Sequence, residues 1–211
     1  MKKNNYRKTV VVTSLLTVLP LLVGLLLYQR LPAKMATHFG LNNVPNGFSN
    51  KFLVVVGMPL LLLLLQLIVL FVWTHEAKGQ DFNFKLVEIT LWLVPVMSNV
   101  LGFTLYLVAL GQRLRMSVIA NLLFGLLLLI FGNYLPKTRP NRVVGIRLPW
   151  TLASSTNWQK THRLTGWLFM VGGLVLLCTS FLPNNWLFVI ILLVVIIVPI
   201  VYAYSLSRAG R

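Results

Sequence analysis

Long apolar runs separated by short polar breaks dominate the chain. Val10–Tyr28, Phe52–Trp73, Val87–Leu110, Val118–Leu135, Leu164–Leu182 and Trp186–Tyr204 are nearly unbroken in apolar residues. Each approaches the ~20 residues a helix needs to cross the hydrocarbon core of a bilayer. The pattern predicts an all-α, polytopic membrane protein with six transmembrane helices. The first run is longer than the ~7–15 residues of a signal-peptide core, and no A-x-A-like cleavage site follows it. It is read as an uncleaved span.

The polar breaks are unequal. Segments 74–86, 111–117 and 183–185 and the C-terminal tail are short. Gln29–Lys51 and Pro136–Arg163 are long enough to hold structure. The first carries Leu31-Pro32, Gly40, Val44-Pro45 and Asn46-Gly47. Proline presets φ, and glycine and asparagine tolerate positive φ, so this loop is expected to be compact. His38-Phe39 at its middle reads either as a packed turn histidine or as a ligand contact.

The second long segment starts with Pro136 and Pro140, which stop the fourth helix. Ser154-Ser155-Thr156 then offers N-caps, and Thr156-x-x-Gln159 fits a capping box. A helix from near Thr156 places Trp158, Thr161, His162 and Thr165 on one face. With basic flanks it reads as an interfacial helix running into the fifth span. Lying on a membrane does not call for Asn133, Arg139-Pro140-Asn141, Gly145, Arg147 or Pro149-Trp150. Those residues suggest a loop of fixed shape that presents guanidinium groups to carbonyls, carboxylates or phosphates.

Within the spans, Thr13, Thr17, Pro20 and Gly24 share a face, as do Pro95, Asn99, Gly102 and Tyr106, and Asn121, Gly125 and Gly132. Gln66 adds a polar group to the second span. Small and hydrogen-bonding residues in stripes are expected at helix–helix seams. No span carries a charge at its centre, which counts against a proton- or ion-coupled carrier.

Composition supports the membrane reading. Only 10% of residues are charged, against about 25% in soluble domains. The net charge is +16. With the N-terminus inside, 14 Lys/Arg fall on the inner side and five (Arg30, Lys34, Lys51, Arg113, Arg115) on the outer side. The positive-inside rule then makes both termini cytoplasmic. Positive charge beside spans orients them and meets anionic headgroups, so direct nucleic-acid binding is not expected. Cys178, the sole cysteine, excludes a disulfide framework within the chain and reads as a small buried hydrophobe.

Catalytic chemistry is scarce. Glu76, Asp81 and Glu88 are the three acidic residues. The predicted topology puts His75 and His162 inside and His38 outside, so no three-histidine metal site is expected. The chain contains no HExxH, GxSxG or P-loop motif. No cofactor and no catalytic residue are expected.

The segment "GNYLPKTRPNRVVGIRLPWTLASSTNWQKTHRLTGW" resembles the signature of the SdpI family. The resemblance rests on Gly132-Asn133, Pro136, Arg139-Pro140-Asn141, Gly145-Ile146-Arg147, Pro149-Trp150-Thr151-Leu152, Trp158, Thr161-His162 and Gly166. The earlier segment "LPAKMATHFGLNNVPNGFSNK" resembles an N-terminal extracellular motif, in a domain of unknown function. The matching positions are Leu31-Pro32, His38-Phe39, Pro45, Gly47 and Lys51. That pattern commonly has glycine near Asn43, and asparagine also tolerates the left-handed region, so the same turn is expected.

The resemblance divides the chain into 1–73 and a four-span part at 74–211. It implies a bacterial cytoplasmic-membrane immunity protein that resists a secreted SDP-like peptide toxin. It further implies a receptor that, with toxin bound, holds a transcriptional repressor at the membrane. Its partners would be membrane lipids, a peptide outside and a repressor inside. The alternatives from other classes are a small transporter of a peptide or lipid, and a membrane enzyme acting on lipid or peptide that relies on His162, Trp158 and the arginines.

Overall fold

A computed structural model describes residues 3–76, 84–141, 144–182 and 186–209. Arg142, Asp81, Lys78 and the turn at 183–185 lie outside the described residues, as does the side chain of Glu76. The chain runs α1 (Lys3–Leu26), β1 (Lys34–Phe39), β2 (Pro45–Asn50), a π-turn (Leu53–Gly57) leading into α2 (Met58–Glu76), α3 (Phe84–Ala109) and α4 (Met116–Tyr134). It continues with α5 (Pro149–Leu152), α6 (Ser155–Thr179) and α7 (Trp186–Ala209). The six helices other than α5 contain segments long and apolar enough to cross a bilayer. Met1–Leu114 and Arg115–Arg211 form two compact units, a division one helix later than the one the motif resemblance draws.

In the first unit, α3 repairs a hydrogen-bond ladder that proline breaks. Pro20 lies inside α1 and has no N–H to give the carbonyl of Leu16. The Asn99 amide donates to that carbonyl at 2.8 Å. Ser98 donates to the Thr17 carbonyl at 2.7 Å, and the Tyr106 hydroxyl to the Pro20 carbonyl at 2.9 Å. Free backbone groups in a span need such partners, because lipid supplies none. From α2, Gln66 donates to Thr13 Oγ1 at 2.9 Å and accepts from Thr17 Oγ1 at 2.6 Å. Gly102 lies against Pro20, and Gly24 against Tyr106. The two stripes and Gln66 are therefore one buried seam, as their pattern predicts.

This repair can be tested by a double-mutant cycle. Asn99→Ala is expected to cost about 1–2 kcal/mol. Pro20→Ala restores an amide to Leu16, so in that background the cost should fall by at least half. Unfolding midpoints in lipid–detergent micelles measure both; equal costs in the two backgrounds would remove Pro20 from the explanation.

In the second unit, two glycine pairs bring α4 and α6 together. Gly132 faces the Gly166 backbone, and Gly125 faces that of Gly173. Leu128, Leu176 and Val195 form the buried core, with Phe169, Phe188 and Ile191 packed around it. Arg115, which runs against the charge bias, donates to the carbonyl of Phe181 just beyond α6 at 3.2 Å. Basic side chains commonly satisfy carbonyls at helix C-termini.

Three sequence expectations need correction. The fifth span does not begin at Leu164; the helix expected from near Thr156 runs into it without a break, so α6 is one continuous 25-residue helix capped by Ser154. Trp158 is not a lipid-facing aromatic, because it is fully buried beneath the preceding loop. Cys178 is exposed rather than buried: it falls four residues after Leu174 and seven after Val171, on the outward stripe of α6.

Candidate functional site

The segment linking α4 to α6 is closed by side chains reaching back to its own backbone. After Tyr134, Pro136 enters a 3-10 turn at Leu135–Lys137. Thr138 caps that turn, donating to Leu135 O at 2.7 Å. The Thr138 carbonyl accepts from the Trp158 indole at 2.9 Å. Asn141 closes the next turn: its oxygen accepts from the Val144 amide, and its nitrogen donates to Arg139 O, both at 2.8 Å.

Gly145 then adopts φ +126°, which a side-chain-bearing residue seldom takes. This turns the Ile146 amide onto His162 Nε2 at 3.0 Å. Nδ1 of the same ring lies 2.8 Å from the Trp158 carbonyl. A carbonyl can only accept and an amide can only donate, so His162 carries its proton on Nδ1. The two rings stack at 4.0 Å between centroids. Thr151 completes the frame, donating to Ile146 O at 2.6 Å and accepting from Leu148 N at 2.9 Å.

α5 opens with Pro149. Trp150 packs edge-on against Tyr204 of α7, 5.5 Å between centroids. Asn157 donates to the Ala203 carbonyl at 2.9 Å and accepts from Thr161 at 3.0 Å, tying the start of α6 to α7. Trp158, Thr161, His162 and Thr165 are all fully buried, so the predicted face exists and points under the loop. Arg139, Pro140, Pro149 and Arg147 are exposed. Lys137 donates to Asn133 at 2.9 Å.

This arrangement offers a fixed surface. Both His162 nitrogens are committed to backbone partners, which leaves neither for a substrate or a metal. Among the described residues no group of three His, Cys, Asp or Glu could hold a metal ion. Site residues that sequence reasoning missed are Thr138 and Asn157. Asn157 could have been found, since it lies four residues before Thr161 on the same helical face.

In the first unit, the segment after α1 is an antiparallel hairpin of β1 and β2, irregular around His38. His38 Nδ1 donates to Asn46 Oδ1. Gly47 lies opposite His38, where an added Cβ would press on the His38 Cβ at 2.8 Å. Asn43 has φ 60°, the left-handed conformation its position requires. Leu31 and Met35 are buried at the base, and β1 contacts α3. Lys51 closes the loop, donating to Tyr28 O at 3.1 Å with its ammonium over the Tyr28 ring. Pro32, His38 and Pro45 are exposed, and Phe39 is half-buried.

The fold and the closed basic loop define a multi-pass helical membrane protein. Residues 137–203 match the SdpI/YfhL protein family, and residues 15–63 match a domain of unknown function, DUF1648. The first match runs from the turn after α4 to Ala203, the acceptor of Asn157. The chain is also similar to the protein named Immunity protein SdpI of Bacillus subtilis (strain 168). Identity is 24% over 197 residues, covering 93% of this chain and 90% of that protein. The chain thus carries an SdpI/YfhL-type region at residues 137–203 and resides in the bacterial cell membrane. No solved structure matches it.

Proposed function

We propose that the chain is a membrane immunity protein that gives its cell resistance to a secreted, SDP-like peptide toxin. The observation that carries the reading is the similarity to Immunity protein SdpI along 93% of the chain. The closed inner loop agrees with it, because its shape-fixing residues hold a surface and leave no imidazole nitrogen for chemistry. On this reading both termini are cytoplasmic. The outer loop at 29–51 faces the toxin, and the basic inner loop at 136–163 faces a repressor, held there when toxin binds.

Expression in a toxin-sensitive host should raise the toxin dose needed to stop growth. Arg147→Ala and Trp150→Ala should remove most of that protection, while Lys2→Ala and Lys3→Ala should leave it intact. Unchanged sensitivity on expression of the wild-type chain would end the immunity reading. Peptide or lipid flux in proteoliposomes would favour a transporter instead.

A further inference from the structure

We propose that the second unit holds a binding site for the phosphate of an anionic phospholipid. It lies in the cleft between the end of α4 and the first turns of α6, and the inference does not rest on the immunity reading. The cleft is open, with a volume of about 570 Å³. Lys137 and Arg139 line it from one side, Lys160, Arg163 and Trp167 from the other. Residues 115–211 contain no Asp or Glu, so the second unit supplies no side-chain carboxylate to neutralise these four cations. Lys137 is held in place by its bond to Asn133 and by the Tyr134 ring, 5.4 Å from the ammonium.

The cleft has the polarity of a lipid along α6. Lys160, Arg163 and Trp167 follow one another at three- and four-residue spacing, which puts them on one face. Trp167 is 67% exposed, an aromatic at the boundary between charge and apolar surface, where tryptophan is favoured in membranes. Beyond it, Met170, Val171 and Leu174 are exposed and continue the same side. Gly166 abuts Gly132 and Pro136, so the cations stand level with the place where the apolar run of α4 ends. A phosphate in the cleft would direct its acyl chains along that aliphatic ridge. A free phosphate could use the cations but not the ridge.

Native mass spectrometry of the full-length protein in non-ionic detergent tests this, with phosphatidylglycerol, phosphatidylcholine and inorganic phosphate as probes. Phosphatidylglycerol should bind more tightly than phosphatidylcholine by roughly tenfold or more, and K160Q/R163Q should abolish that preference. K160R/R163K should keep it, which shows that the altered positions still fold. R30Q/K34Q removes the same charge from the first unit and should change nothing. Equal binding of the two lipids, or equal loss in both glutamine variants, would overturn the site. Displacement of phosphatidylglycerol by millimolar inorganic phosphate would reassign it to a free anion and overturn the lipid.

Discussion

Gly145→Ala should collapse the loop between α4 and α6 and, with it, function. Two costs combine. Alanine at φ +126° carries backbone strain of about 1–3 kcal/mol. Its Cβ would also drive into His162 Nε2 and meet the Trp158 ring at 2.9–3.0 Å. Both rings are buried and hydrogen-bonded, so neither can turn away without giving up a backbone partner. Overpacking of this kind costs about 1–3 kcal/mol more. The expected total of roughly 2–6 kcal/mol is large against ordinary stabilities of about 5–15 kcal/mol.

Gly111→Ala is the internal control. Gly111 has φ +91° with nothing within 4 Å of an added Cβ, so it should show the strain alone. The thermal midpoint of purified protein and the resistance conferred in cells should both fall further for Gly145→Ala. Equal effects would mean that the His162–Trp158 stack does not hold the loop.

The glycine pairs of α4 and α6 should be the second most sensitive point. A Cβ on Gly132 would meet Gly166 O and Met170 N at 2.9 Å, and one on Gly173 would meet Gly125 O at 2.7 Å. These obstacles are backbone, so only separation of the helices relieves them. Gly132→Ala or Gly173→Ala should therefore each cost about 1–3 kcal/mol. The pairs sit seven residues apart on each helix, so parting the helices at one pair makes room at the other. The double variant should cost less than the sum of the singles. Gly57→Ala, whose Cβ would make only an ordinary 3.5 Å contact, should be near neutral. Strict additivity in denaturant unfolding would show that the two pairs do not share one helix–helix distance.

Much of this was legible along the chain. Apolar run lengths located six spans, because crossing lipid demands about 20 apolar residues wherever it occurs. The Thr13, Asn99 and Gly125 stripes announced their seams, since polar and small residues inside a span have few other uses. The outer turn-formers implied a compact loop, and Asn43 took the conformation expected of it. The strands β1 and β2 were not visible, because β1 is only six residues long and its partner β2, PNGFSN, is rich in Pro, Asn and Gly and lacks alternating apolar residues. The fifth span was drawn too short for a related reason. The first nine residues of α6 are mostly polar, yet Asn157, Trp158, Thr161 and His162 among them are buried under the loop, and hydropathy cannot distinguish that burial from exposure to water.

Span count, membrane residence and the positions of the two elaborated loops follow from sequence alone, since each depends on local composition and spacing. Partnership was decided only in three dimensions. Nothing in the order of residues says that Asn99 serves the carbonyl Pro20 frees, that Gly166 is the counterpart of Gly132, or that His162 Nε2 receives the Ile146 amide. Those facts depend on which backbone groups approach within about 3 Å, a distance that chain separations of 16 to 83 residues leave undetermined until the helices pack.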